Sequence, residues 1–529
     1  ASPPLPPEVE KTVEFELPKA GERFVFVANP ESDSVAVIDA ETYGVRTRAL
    51  ADGKRPTFLQ TIEGTDTAIV LNVDSSNATV IRADSTEIRT NNLPVVEGAN
   101  AIAVAPDKQH AVVYVNYSLP SASSRSGNFQ RLTVIRLSEA GDEAVNLRVG
   151  FRPSDVAFSE DGATGFVVTE NGVSILDFAD IDESGEVVPH TVELGYTPEE
   201  VPSDVSVTRD GRYALARLER ASVVNLVDLQ SGEIKALDLV SAKVVERDGD
   251  SDGSTDSGEG DDADAGTDPT PVPDVVTDID LSPNGEFAVA VLRGQSKVLR
   301  IPVPGAFDDP SEVDSLQLDK VIIGSVTVAA DSRYALLYST ADPPVGTLPS
   351  DLRLLERITI VDLDSERAQK TVQLQKAIAA VAISPDSETA FIIHKKQALS
   401  AETPGSQDEM IDRSYGYSLL KLSTGDPTLQ TSQAPVGRFA IVTDGSYLFI
   451  LFRSDSLGIK ELHHVSLGKL LPDVIPLDRP PISVGLVPKF SRVFVSQEHP
   501  DGLITFFDWD TARSHEVTGF ERNSRIDVF

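Results

Sequence analysis

The sequence predicts an all-β fold, and three observations carry that prediction: a short unit recurs about ten times, each unit holds strand-length apolar runs, and a tight-turn signature marks the same place in every unit. The unit is clearest near the start, where Phe24-Val25-Phe26-Val27-Ala28-Asn29 and Val35-Ala36-Val37-Ile38-Asp39 flank the polar turn Pro30-Glu31-Ser32-Asp33-Ser34. It returns as residues 213–218 with 223–228, as 334–338 with 358–362, and as 493–496 with 503–508. A period of roughly 45 residues holding four short strands is the signature of a propeller blade. The expected architecture is a β-propeller of about ten four-stranded repeats. A single large ring is favoured over two smaller fused rings.

The register mark is the turn before the second strand of each unit. It reads Ala20-Gly21-Glu22, Glu63-Gly64-Thr65, Pro106-Asp107-Lys108, Asp161-Gly162 and Asp210-Gly211-Arg212 in the first half. Asn284-Gly285-Glu286, Asp331-Ser332-Arg333, Pro385-Asp386-Ser387, Asp444-Gly445-Ser446 and Phe490-Ser491-Arg492 follow in the second. Asp-Gly and Asn-Gly suit two-residue hairpin turns, which need residues that accept positive φ. Successive turns lie about 43 to 58 residues apart, except across one acidic insert whose removal restores the period.

Within a unit, first strands such as 154–158 or 379–383 are small, apolar and nearly unbroken. That suits inner strands covered on both faces. A fourth strand such as 371–374 alternates and is expected outside. An even period along the whole chain argues against a sandwich of many short strands. Strands from the two ends, residues 13–17 or 525–529, are expected to complete a blade and remove exposed edges.

Residues 25–42 resemble the YVTN-type propeller repeat. Phe151-Arg152-Pro153-Ser154-Asp155-Val156-Ala157-Phe158-Ser159-Glu160-Asp161-Gly162 is similar to its Pro-x-x-Val-Ala-x-x-x-Asp-Gly segment, and 281–285 and 383–386 repeat the core of it. The resemblance runs over nearly the whole chain but is close only in the first repeat. Leu462-His463-His464-Val465 departs from it, as do the strand ends Ile81-Arg82 and Ile135-Arg136, and ten units exceed the usual seven. It implies a bacterial or archaeal surface or secreted protein. The motif residues build blades, so no catalytic role comes with them.

The 529 residues include no cysteine and one methionine, Met410, which excludes disulfides, thiol catalysis and cysteine-ligated metals. No apolar stretch approaches the roughly 20 residues that span a bilayer as a helix. The formal charge of −37 argues against nucleic-acid binding and against docking on anionic lipid. The chain begins Ala1-Ser2-Pro3-Pro4-Leu5-Pro6-Pro7-Glu8, and residues 1–11 read as a stiff Pro-rich tether behind a processed end. A trimmed chain is the competing explanation; a lipid anchor upstream is compatible with either. The expected location is extracytoplasmic.

Propeller repeats one to five occupy residues 12–245, and repeats six to ten with the closing strand occupy 275–529. Between them, residues 246–274 are a Gly/Ser/Asp-rich acidic insert, a composition that cannot bury a core. The insert also contains Asp-x-Asp-x-Asp-Gly-x5-Glu, the calcium-loop pattern. In that reading Asp248, Asp250 and Asp252 supply carboxylates and Gly253 the turn; Ser254 offers its carbonyl, Asp256 binds directly or through water, and Glu259 chelates. No amphipathic helices flank it, and so Asp-rich a run matches by chance fairly often. Calcium and a plain acidic linker both stand as readings.

A catalytic constellation is not visible. His110, His190, His394, His463, His464, His499 and His515 are scattered, with no His-x-x-x-His pair, no Gly-x-Ser-x-Gly elbow and no phosphate-cradling glycine loop. His463 and His464 are expected on one strand, pointing to opposite faces. The single Trp509 contrasts with the many tryptophans of quinone-dependent propellers and is expected to cover apolar surface at a blade edge. Three longer excursions, 120–129, 340–356 and 395–414, interrupt the same hairpin position and therefore belong to one face. The functional expectation is a non-catalytic binding or scaffolding module of a cell-envelope or surface assembly. It would hold protein or polysaccharide through loops on one propeller face. The alternatives are a lactonase-type hydrolase with an axial metal site and a self-assembling surface-layer component.

Overall fold

Ten antiparallel sheets follow one another along the chain and pack side by side into a closed ring, a ten-bladed β-propeller. A computed structural model describes residues 20–119, 127–181, 188–195, 202, 204–218, 221–240, 275–318, 321–343, 349–364, 368–396 and 407–520. Blades 1 to 5 span 24–49, 56–94, 101–148, 155–192 and 204–238; blades 6 to 10 span 276–317, 325–373, 378–432, 436–476 and 481–518. Nine of them have four strands running outward from the axis in sequence order. Blade 1 has three described strands, and Ala20 bridges antiparallel to Val25 of the first of these. The terminal segments expected to complete that blade, 13–17 and 525–529, lie outside the described residues, as do 246–274.

Why the second strand of each unit is apolar through its centre follows from its place between two neighbours. In the strand Phe24–Asn29 every residue is buried. Val25 and Val27 point into the interface with blade 10, while Phe24, Phe26 and Ala28 point into the interface with blade 2. Alternate side chains face opposite sides of a sheet. A strand sandwiched on both sides therefore keeps polar residues to its ends, as at Asn29. Among the described residues this produces ten separate apolar cores, one for each interface between blades.

One ring, not two, is what these cores dictate. Phe494, Ile504 and Phe506 of blade 10 share a core with Val25, Val27 and Ile38 of blade 1. The Tyr43 and His515 rings stack across the same seam at 3.8 Å, and Lys489 pairs with Glu22 at 2.7 Å.

The inner strands depart from expectation. They were read as the segments covered on both faces, yet Asp204–Val207 is half-buried throughout and Ala101–Val104 and Asp155–Phe158 are largely so. Their inward edge faces the axis instead of another strand, so the fully buried strands are the second and third. The alternating fourth strand does sit outermost, as in Gln369–Gln373.

The register turns also differ in detail. They are not two-residue turns: Ser159 N–H donates to the Thr164 carbonyl and Gly162 N–H to the Ser159 carbonyl, both at 2.9 Å, leaving four residues in the loop. In nine of the ten turns one residue takes positive φ; it is Gly64, Gly162, Gly211, Gly285 or Gly445 in five of them, at 66° to 74°. Lys108, Ser332, Ser387 and Ser491 hold the same place at 51° to 61°. A single left-handed residue after a type I turn is the longer-hairpin solution, which explains why Asp-Gly and Asp-Ser occur interchangeably there.

Candidate functional site

Antiparallel order divides the ring's connections between two faces. First-to-second and third-to-fourth connections lie on one face, the turn face; second-to-third connections and links between blades lie on the other, the loop face. The described parts of the three long excursions connect second to third strands in blades 3, 7 and 8, so all three lie on the loop face as expected. The insert leaves this face too. Leu239 N–H donates to the Ser222 carbonyl at 3.2 Å and Val276 N–H to the Ala221 carbonyl at 2.8 Å, which pins its two flanks side by side. The six residues read as calcium ligands, Asp248 to Glu259, lie outside the described residues.

The loop face is most built up where blades 7 and 8 meet. The blade 7 loop turns through the short helices Pro349–Leu352 and Arg353–Glu356, whose Leu352 and Leu355 bury against Ala341. The blade 8 loop turns through the helix Gln407–Arg413. Between them lies a cavity of about 630 Å³ with Leu374 and Ile411 as its apolar lining. Its polar lining comes from Arg353, Glu356, Gln373, Gln375, Gln407 and Asp412.

Two charged pairs sit in its walls. The Glu356 side chain is fully buried and accepts from Arg353 Nη1 at 3.0 and 2.8 Å. Gln373 Nε2 reaches the same carboxylate at 3.5 Å while donating to the Arg353 carbonyl at 3.1 Å. Beneath, Lys376 is 1% exposed, and its ammonium donates to the carbonyls of Ile411, Asp412 and Ser414 at 2.6, 3.3 and 2.9 Å. Burial pushes the Lys376 ammonium below the usual lysine range, against the pull of the Asp412 and Glu356 charges. Burial likewise pushes the Glu356 carboxyl up, with Arg353 opposing. A buried charge needs a partner and hydrogen bonds to be tolerated; each has both. Nearby His394 is held neutral, Nδ1 beside the Ala377 carbonyl at 3.2 Å and Nε2 beside Ser418 Oγ at 2.7 Å, and burial lowers its pKa to about 4.

Sequence reasoning found the two loops but missed Arg353, Glu356, Lys376 and Asp412. One signal was present: Lys376 stands between an alternating outer strand and the apolar run of the next inner strand, where a lysine is out of place unless its ammonium is satisfied.

His463 and His464 serve packing. His463 and His464 do point to opposite faces: His463 lies 4.2 Å from the Phe452 ring on one side, and His464 stacks on Phe449 at 5.1 Å on the other. Trp509 fills the interface with blade 9 against Phe449 at 5.5 Å. Toward the axis, Asp278 accepts from Val326 N–H at 2.8 Å and Asp280 from Val328 N–H at 3.1 Å, so both carboxylates join blade 6 to blade 7. Among the described residues no group of three or more His, Asp or Glu is arranged to hold a metal ion, and no helix is long and apolar enough to cross a membrane.

No protein-family model matches the chain, and no curated protein is similar to it in sequence. Solved structures are similar in fold. A eukaryotic initiation factor is 10% identical, with a TM-score of 0.47 over 86% of this chain and 96% of that one. A putative 6-phosphogluconolactonase from Bacteroides uniformis is 16% identical, with a TM-score of 0.36 over 70% and 97%. Hydrazine synthase from Kuenenia stuttgartiensis is 15% identical, with a TM-score of 0.33 over 69% and 95%. At these identities the likeness is one of fold alone.

Proposed function

We propose that the chain is a YVTN-like, non-catalytic binding or scaffolding module of an extracytoplasmic envelope or surface assembly, holding protein or polysaccharide on its loop face. The observation that supports this reading is the asymmetry of the two faces. One carries short turns except at 178–189 in blade 4 and 303–313 in blade 6; the other collects the long loops of blades 3, 7 and 8 and both flanks of the acidic insert. Loops gathered on one side of a rigid frame are the usual way such a fold binds. The chemistry around the ring adds to it: the axial carboxylates Asp278 and Asp280 are engaged by backbone N–H groups of the next blade. In this proposal calcium bound by Asp248, Asp250, Asp252, Ser254, Asp256 and Glu259 stiffens the insert beside the binding loops.

The test is native purification from the source envelope, with and without a calcium chelator, using the full chain and a variant with shortened blade 7 and 8 loops. A stoichiometric partner that is lost with the loops supports the reading, and loss on chelation extends it to the insert. A monomer with no partner in any preparation overturns it.

A further inference from the structure

We infer that the cavity between blades 7 and 8 is a subsite for a neutral, polyhydroxylated ligand, that is, one or two sugar residues of an uncharged polysaccharide; this rests on the binding reading above and specifies its ligand. Its volume of about 630 Å³ falls within the roughly 300–1,000 Å³ of small-ligand sites. Charge decides the class. The lining sets the Arg353 guanidinium against Glu356 and Asp412, and the Lys376 ammonium lies buried beneath, near both carboxylates, so two acidic and two basic side chains meet at this place and neither sign dominates. An anionic ligand would meet the two carboxylates in the cavity wall and, around them, a chain of formal charge −37. A cation would meet the Arg353 guanidinium in the wall.

Hydrogen-bonding chemistry narrows it further. Glu356 and Asp412 line the cavity from positions more than nine-tenths buried. Gln375 and Gln407 add planar amides, each offering N–H donors and a carbonyl acceptor side by side. Adjacent hydroxyls, each both donor and acceptor, match such planar pairs. Leu374 and Ile411 supply the apolar strip that the C–H face of a sugar ring covers.

The test is calorimetric titration of the full chain with neutral hexasaccharides of glucose, mannose and N-acetylglucosamine, and with hexagalacturonate as the anionic counterpart. At least one neutral hexasaccharide is expected to bind and hexagalacturonate is not. The Gln375→Ala/Gln407→Ala variant changes two exposed side chains and should weaken binding at least about tenfold with an unchanged circular dichroism spectrum; Glu356→Gln is the second variant and should weaken it similarly. Absence of binding by every neutral hexasaccharide at millimolar concentration overturns the inference, as does binding that neither variant alters. If the envelope partner is still captured through the loops while no sugar binds, the ligand assignment fails alone; if neither occurs, the binding reading fails with it.

Discussion

The Lys376 ammonium donates to the Ile411 carbonyl at 2.6 Å, tying the link between blades 7 and 8 to the end of the blade 8 loop helix. Two further carbonyls, of Asp412 and Ser414, complete its donors. One side chain therefore closes off the backbone of a loop that the strand ladders leave unpaired. Lys376→Met keeps the length and apolar stem but removes the donor that these carbonyls share and the positive charge near the Asp412 and Glu356 carboxylates, while Ser414 still donates to the Ile411 carbonyl. Loss of about 3 kcal/mol is expected, read by chemical denaturation, with faster amide exchange confined to 407–414. Unchanged exchange there would show that the helix is held by other contacts.

His394 sets a pH dependence. Its folded-state pKa is about 4 against an unfolded value of 6.5, so the unfolded chain takes up the proton first as pH falls. The stabilisation is whole above about pH 6.5 and drains away toward pH 4, on the order of 3 kcal/mol in all. The positive charge of Lys376 acts in the same direction as burial. Denaturation curves between pH 7 and 4 should steepen this loss in the wild type relative to His394→Gln. Equal slopes would place the proton elsewhere.

Gly211 and Gly232 separate backbone strain from packing. Both have positive φ, 69° and 74°, but a Cβ on Gly211 would lie 2.1 Å from Phe166 Cζ of the neighbouring blade, whereas nothing lies within 4 Å of one on Gly232. Gly232→Ala should cost about 1 kcal/mol from conformation alone. Gly211→Ala adds a displaced aromatic ring and should cost about 2–4 kcal/mol. Comparable melting shifts would mean that the blade interface yields freely at Phe166.

At the closing seam, burial should outweigh charge. Lys489 and Glu22 are half exposed, so Lys489→Ala should change stability by no more than about 0.5 kcal/mol. Phe506 is 1% exposed within the shared core of blades 10 and 1, and Phe506→Ala should cost about 3–5 kcal/mol. Thermal unfolding of the two variants decides between these terms.

Calcium titration tests the insert. Binding near one equivalent per chain, abolished by Asp250→Asn with Glu259→Gln, is the expected result for a coordinating loop. Weak, unsaturable binding that the substitutions leave unchanged would identify a plain acidic linker.

Much of this fold was legible because each blade repeats its own punctuation. The strands Phe24–Asn29 and Leu503–Asp508 have the bounds read from sequence, and the one read as 35–39 is Ser34–Asp39. The inner strands misled because small apolar residues such as those of Ile378–Ile383 look equally suited to a doubly covered strand and to one bordering an axis. The cavity was not legible at all. Glu356, Lys376 and Asp412 come from three segments that meet only when blade 7 is set beside blade 8, and periodicity within one blade holds no record of its neighbour.

Because blade 10 packs on blade 1, the molecule has no end units. A linear stack of repeats can gain or lose a unit and still present a capped terminus; a cycle cannot, since each wedge must subtend its share of a full turn. Change in this lineage by whole-unit duplication or deletion would alter the splay between every pair of blades at once. Variation is thereby channelled into loop length, on the face where strand geometry leaves it free.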